Sequence, residues 1–435
     1  MSIESLLSRP FTASVLRALE GWSVGRLTVE LPDGSSREFG ADDSVPHVRI
    51  RVKRHAAFRR LATSGDLGFG ESYMDGEWEA DDLPAFLKLA IRNEPHLPLA
   101  SPLSRVLGLG NDLRHLRNRN THRGSRRNVE RHYDLSNGFF RLFLDEETMT
   151  YSSALFEWSG QPLADAQRNK YRALARKAQL RPGDHVLEIG CGWGGFALLA
   201  AREYGCRVTG ITLSQRQLEL ARERVAAAGL GDRVEIRLQD YRDLAGRFDK
   251  VVSIEMFEAL GREHWSAFFS KLGEVLAPNG VVALQTISIP DHRFEQYARH
   301  CDWIQKHVFP GGLLASVHHV TGAMIRTSRF HLHHLEDIGI HYALTLARWR
   351  AAFTARRDAV RALGFSERFV RTWDYYLAVC EALFETRRLG DLQLVLTRQG
   401  NDALAGIPAA RPEPVNAAPG SLGSRRLAAG GEEAA

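Results

Sequence analysis

Apolar and polar residues change their period several times along the chain, and each change marks an element. From Leu6 to Leu19 apolar residues recur at helical spacing, which predicts a helix with Pro10 near its first turn, where a missing N–H is tolerated. Leu27-Thr-Val-Glu-Leu31 alternates like a half-buried strand, and Pro32-Asp33-Gly34 supplies the turn of a hairpin. His47-Val-Arg-Ile-Arg-Val52 alternates again. Helical spacing returns near 55–63 and 81–92, with the Gly-rich segment from Gly65 to Gly76 read as the break between them. Residues 1–100 therefore read as a small α+β unit.

Between about 165 and 286 the pattern becomes short apolar runs separated by amphipathic stretches, which predicts a parallel sheet covered on both faces. The strands are His185-Val-Leu-Glu-Ile189, Cys206-Arg-Val-Thr-Gly-Ile-Thr212, Val234-Glu-Ile-Arg-Leu238, Lys250-Val-Val-Ser-Ile254 and Val281-Val-Ala-Leu-Gln285. The helices Phe196 to Glu203 and Gln215 to Ala228 follow the first two. After 286 the alternation gives way to a helical insertion rich in aromatics, and Leu392-Gln-Leu-Val-Leu396 reads as a last strand. Phe369, Trp373, Tyr376, Leu377 and Phe384 recur at helical spacing, which suits a core face or the wall of an acyl tunnel. No internal repeat is visible.

Length and charge add organisation. A chain of 435 residues exceeds one ordinary domain. The expected division is 1–100 for the α+β unit, 101–127 for a basic linker, 128–400 for the α/β domain, and 401–435 for an Ala-, Gly-, Pro- and Ser-rich disordered tail. Seven arginines lie between Arg114 and Arg131 in a chain of formal charge +5. The cluster suits a solvated linker or a surface that meets anionic headgroups. Nucleic acid is the weaker reading, since no aromatic stacking platform accompanies the charge. Cys191, Cys206, Cys301 and Cys380 form no CxxC pair, which argues against a structural zinc or disulfide framework. With no apolar stretch able to span a bilayer, the expected location is cytoplasmic, peripheral at the inner membrane surface.

The candidate chemistry begins at Glu188-Ile-Gly190-Cys-Gly192-Trp-Gly194-Gly195, where the first parallel strand turns into a helix. Glycines there let a ligand approach the backbone. Gly190, Gly192 and Gly195 also satisfy the dinucleotide GxGxxG spacing, so a nicotinamide oxidoreductase is the competing reading. Against it, the second strand ends in Thr212-Leu213-Ser214, with no carboxylate to hold a ribose. Gln239-Asp240-Tyr241 then places an acid and an aromatic where an adenine would lie.

These residues resemble the cyclopropane fatty acid synthases and mycolic acid methyltransferases. The resemblance rests on His132-Tyr-Asp-Leu-Ser-Asn137, Met149-Thr-Tyr151-Ser152-Ser153-Ala154, the Gly-rich turn and Thr212-Leu-Ser-Gln-Arg-Gln217. It continues through Glu255-Met-Phe-Glu258, Phe309-Pro-Gly-Gly312 and His341-Tyr342, across about 128–398. Gly68-Phe-Gly-Glu-Ser-Tyr-Met-Asp-Gly-Glu-Trp78 also looks like the longer bacterial synthases. The family implies a seven-stranded, doubly wound, mostly parallel methyltransferase sheet of α/β class with helical acyl-binding insertions, and S-adenosylmethionine as cofactor. By motif position, Tyr151 and Ser152 would close over the methionine end, and Gly190, Gly192 and Gly194 would pass beneath it. Thr212 and Gln217 would face the ribose, and Gln239 and Asp240 the adenine. Ser153, Glu258, Gln285, Ile287 and Tyr342 would form the acyl site and hold a bicarbonate ion as base. Known members carry Cys and His where this chain has Ser153 and Gln285. Both replacements can hydrogen-bond an oxyanion, but neither is cationic.

The chemistry implied is methyl transfer to an alkene, leaving a carbocation that aromatic faces such as Tyr342, Phe257 or Trp303 could stabilise. A base then removes a proton, giving a cyclopropane or, after a hydride shift, a methylene branch. Glu258 is the expected anchor of that step. For Glu255 the bland reading, a carboxylate at a helix start, weighs more heavily. His331, His333 and His334 invite a metal reading that no carboxylate motif completes. The partners expected are unsaturated phospholipid acyl chains and the membrane surface, with a homodimer left open. Methylation of a small amine or hydroxyl, and an inactive lipid-binding scaffold, are the other readings.

Overall fold

The computed structural model describes residues 3–41, 46–97, 136–401 and 404. The arginine stretch 114–131, the linker expected at 101–127, residues 132–135 of the first family motif and nearly all of the expected tail fall outside them.

A seven-stranded sheet runs in the order β10-β11-β9-β8-β5-β6-β7. Its strands are β5 His185–Ile189, β6 Arg207–Thr212, β7 Val234–Leu238, β8 Phe248–Ile254, β9 Leu276–Ser288, β10 Phe330–Asp337 and β11 Gly390–Arg398. The five from β5 to β9 are parallel, and β11 and β10 complete the sheet antiparallel. Val186, Leu187, Val251, Val252 and Val281 to Leu284 are buried, because helices cover both faces. The strand order reverses beside β5, so the carboxyl ends of β5 and β8 open a crevice, the place where this sheet class binds ligands.

The N-terminal unit is a four-stranded sheet, β2-β1-β3-β4, built from β1 Arg26–Glu30, β2 Ser36–Phe39, β3 His47–Val52 and β4 Trp78–Ala80. Two local expectations need correction. The first helix begins at Ile3, so Pro10 lies inside it and not in its first turn. The Gly-rich stretch is largely helical: Ala56–Met74 is continuous except for a kink at Gly65, at φ +54°. Tertiary packing explains the second result. A Cβ on Gly70 would lie 2.6 Å from the Trp303 ring, so glycine serves close approach there and does not break the helix.

The apolar core of this unit runs without interruption into the helices Gly339–Ala355 and Glu367–Glu385. Buried Asp374 ties the junction, accepting from Tyr73 Oη at 2.8 Å and pairing with Arg350 and Arg357. The opposite face of helix Glu367–Glu385 presents Tyr376, Cys380 and Phe384 to a cavity. No helix among the described residues is long and apolar enough to cross a membrane.

Candidate active site

Two cavities, of about 1070 and 1150 Å³, adjoin at the carboxyl end of the parallel strands. The first is built by the loops after β5, β6, β7 and β8. Gly190 has φ +81°, and a Cβ there would come within 2.9 Å of Met256. Gly192, at φ +51°, faces open space. Gly190, Gly192 and Gly195 line the cavity, whereas Gly194 is turned toward Ala221. Thr212 Oγ1 donates to Gln217 Oε1 at 2.7 Å, and both line the wall. At the far end Asp240 is paired with Arg242 at 2.6 Å, and Gln239 donates to the Asp243 carbonyl at 2.9 Å. Tyr151 and Ser152 close the near side, where buried Lys170 donates to Ser152 Oγ at 2.6 Å.

Glu188 tests whether S-adenosylmethionine suits this cavity. Its Oε2 is buried, lines the wall and finds no hydrogen-bond partner among the described residues. Burial pushes its carboxyl up to about 8. A glycine cradle, an acid–amide end and a buried Glu188 oxygen with no hydrogen-bond partner among the described residues match a ligand with a purine at one end and a hydrogen-bond-donating group at the other. The residues fit.

The second cavity is apolar. Ile304, Phe309, Leu346, Tyr376, Phe384 and Leu389 contribute to its wall. Of the aromatics proposed to face a cation, Tyr342 lines it, stacked on Phe384 at 4.5 Å. Phe257 is packed instead among Trp265, Phe268 and Phe269, and the Trp303 ring lies against Tyr375 and Gly70. Phe369 stacks on Phe365, with Trp373 beside it and Leu377 buried in the same core.

Tyr151, Glu255 and Ala259 line both cavities and therefore mark their junction. Glu255 directly follows β8 with φ +48°, a conformation that a non-glycine residue adopts at a cost. Three donors converge on its carboxylate. Ser153 N lies at 2.8 Å, Gln285 Nε2 at 2.8 Å and Tyr342 Oη at 2.7 Å. Burial pushes the group up from the usual carboxylate range, while Lys170 and the three donors pull it back. Gln285 also donates to Asp391 Oδ2 at 2.9 Å and accepts from Gln393 at 3.0 Å.

Glu258 sits on the 3₁₀ turn Phe257–Ala259 and lines only the apolar cavity. Its Oε1 accepts from Ile287 N and from Thr286 Oγ1, while Oε2 is buried without a hydrogen-bond partner among the described residues. Burial, then the neighbouring Glu255 charge, push it up to about 8. Ser153 and Gln285 line neither cavity and meet the site through Glu255, and the Ser153 hydroxyl is turned to the Ala154 carbonyl at 3.0 Å. The set assigned to bicarbonate is thus gathered in one place, but its donors already serve Glu255 and Glu258. Sequence reasoning set Glu255 aside and overlooked Lys170 and Asp391. The one signal in the chain was a second acid three residues before Glu258, directly after a strand.

A family model described as mycolic acid cyclopropane synthetase matches residues 120–394, and a domain of unknown function matches 17–95. The chain is 42% identical over 367 residues to tuberculostearic acid methyltransferase UfaA1 of Mycobacterium tuberculosis, covering 83% of this chain and 85% of the relative. It is 36% identical to the cyclopropane-fatty-acyl-phospholipid synthase of Escherichia coli, covering 80% and 87%. The solved structure of mycolic acid cyclopropane synthase CmaA1, in complex with SAH and CTAB, superposes with TM-score 0.58 at 32% identity, covering 63% of this chain and 98% of that one.

Proposed function

This chain belongs to the mycolic acid cyclopropane synthetase family, is an S-adenosylmethionine-dependent methyltransferase and modifies lipid acyl chains; from that premise we propose that it methylates the double bond of an unsaturated acyl chain in phospholipid and closes a cyclopropane there. The observation that carries this reading is the junction of a cofactor cavity with a large apolar cavity, which puts a reacting alkene beside the methyl donor and away from water.

When bound, the cofactor supplies a sulfonium methyl, electrophilic enough for an alkene to attack. The chain's own groups do the rest. The glycine turn and the Gln239–Asp240 end hold the cofactor, and Tyr151 closes over the reacting end. The apolar wall aligns the alkene with the methyl, an orientational gain that can reach several kcal/mol. Tyr342, stacked on Phe384, presents a π face where positive charge develops on the chain. Because a phospholipid acyl chain lies in a bilayer leaflet, in this reading the enzyme draws its substrate from the membrane surface.

The 42% identical relative favours a second reading, because its name carries methyl transfer and no ring. In that reading the same cation undergoes a hydride shift and ends as a methylene branch. One assay tests both: purified protein, S-adenosylmethionine and vesicles of dioleoyl phosphatidylglycerol. Acyl chains one CH₂ heavier support the proposal, and proton NMR separates ring methylene from vinylidene hydrogens. Unchanged acyl chains, with methyl transfer to an amine or hydroxyl instead, would overturn it.

A further inference from the structure

Glu255 offers the arrangement usually found around a bound oxyanion, but with the oxyanion supplied by the chain. A carboxylate that accepts a backbone N–H, a side-chain amide and a phenol, on both of its oxygens, is bonded as an ionised group. Neighbouring Glu258 is not: one oxygen takes both donors and the other is bare. Three neighbouring carboxyls, Glu255, Glu258 and Asp391, do not all ionise in a dry site. Burial and then the Glu255 charge push Glu258 and Asp391 up, with Asp391 hydrogen-bonded to Glu255, whereas the Lys170 charge and the three donors pull Glu255 back toward its ionised form. Position points the same way. Glu255 borders both cavities, whereas Glu258 borders the apolar one alone. A proton on the newly transferred methyl would lie at that border. The strained backbone at Glu255 is what holds the carboxylate there.

We propose that the Glu255 carboxylate is the resident proton acceptor of the reaction, occupying the donor set that would otherwise bind bicarbonate. The inference rests on the acyl-methylation reading above. The π pair of the alkene forms the new C–CH₃ bond while the S–CH₃ pair leaves with sulfur, now a neutral thioether. Glu255 takes one proton from the added methyl. The freed C–H pair closes the ring onto the cationic carbon or, after a hydride shift, forms the methylene double bond. Glu255 is left as a neutral acid and returns its proton to solvent. Ser153, Gln285 and Tyr342 are positioning residues that hold the carboxylate. An added bicarbonate would find their donors taken and would face Glu255, Glu258 and Asp391.

The test uses the full chain on dioleoyl phosphatidylglycerol vesicles in carbon-dioxide-free buffer, with bicarbonate then restored. Wild-type turnover should change less than twofold on restoration. Glu255→Gln should lose roughly 10²–10⁴-fold in turnover, the range expected for a general base, with SAH affinity by calorimetry within threefold of wild type. Glu255→Gly, which suits φ +48°, frees the three donors and should recover at least tenfold on adding bicarbonate or formate. A wild-type enzyme that stops without bicarbonate, or a Glu255→Gln protein of near-normal turnover, would overturn the assignment while leaving the methylation reading intact. If Glu255→Gln fails to bind SAH, the bicarbonate response of the wild type still decides. Absence of any acyl methylation by wild type, with bicarbonate present, would instead defeat the reading on which the inference rests.

Discussion

The two cavities meet at Glu255 but are built in opposite ways. The cofactor cavity comes mostly from four loops at the ends of neighbouring parallel strands, each short and each carrying its residues consecutively, with the segment Met149 to Ser152 closing one side. The apolar cavity comes from side chains scattered between Tyr151 and Leu389, on helices and loops held by packing on one another and on the N-terminal unit and by buried ties such as Asp374. The first depends on backbone conformation, and the second on tertiary packing. A perturbation should therefore damage one without the other, except at the junction.

The largest separation is expected from Gly190→Val. Its positive φ and the contact with Met256 leave no room for a branched side chain, at a cost of about 3 kcal/mol or more. SAH affinity should fall by roughly a hundredfold or more, while circular dichroism remains native. Affinity within tenfold of wild type would show that the turn tolerates a side chain and is not the cradle.

Phe384→Ala addresses the other side. The substitution removes the ring stacked on Tyr342 and opens the apolar wall, costing about 3 kcal/mol of stability. Acyl-transfer kcat/KM should drop about tenfold with SAH binding unchanged by calorimetry. A parallel loss of SAH affinity would mean that the two cavities are not separable.

The unequal construction also explains what was legible. The strands β5, β6 and β8 read clearly because strands buried on both faces are apolar runs, and β3 and β7 because apolar and polar residues alternate along them. The edge strand β10 was missed: Phe330 to Asp337 holds three histidines and two acids on a largely exposed edge, with a bulge between Leu332 and His334. The helix through Gly65 to Met74 was hidden because Gly70 answers to Trp303, far along the chain. The glycine turn announced itself by composition. Glu255 did not, since a positive φ on a glutamate has no sequence signature and its three donors come from residues 153, 285 and 342.

Smaller effects refine the junction and its support. Glu258 is held protonated by burial, with a pKa of about 8 against about 4.5 when exposed. Its folded-state value is raised, so the associated stability is fully present below about pH 4.5 and is lost as pH rises through about 8. Glu258→Gln should remove that loss and make the protein more stable than wild type at pH 8, on the order of 2 kcal/mol, measured by denaturant unfolding at pH 5 and pH 8. Equal pH dependence in the two proteins would show that Glu258 is ionised in the fold. Tyr73→Phe removes the hydrogen bond to Asp374 that ties the N-terminal unit to helix Glu367–Glu385. It should cost about 1 kcal/mol and leave SAH affinity unchanged, so a shift in that affinity would argue that the N-terminal unit reaches the cofactor side as well.

The most direct test of a carboxylate at the border of the two cavities follows the hydrogens of the transferred methyl. Wild-type protein is given S-adenosylmethionine bearing a trideuterated methyl, with dioleoyl phosphatidylglycerol vesicles, and the acyl chains are weighed by mass spectrometry. Removal of a proton from the added methyl predicts products that gain one carbon and retain two of the three deuteriums, whether the end is a ring or a methylene. Products that retain all three would place the lost proton on the acyl chain, away from Glu255, and would contradict the account.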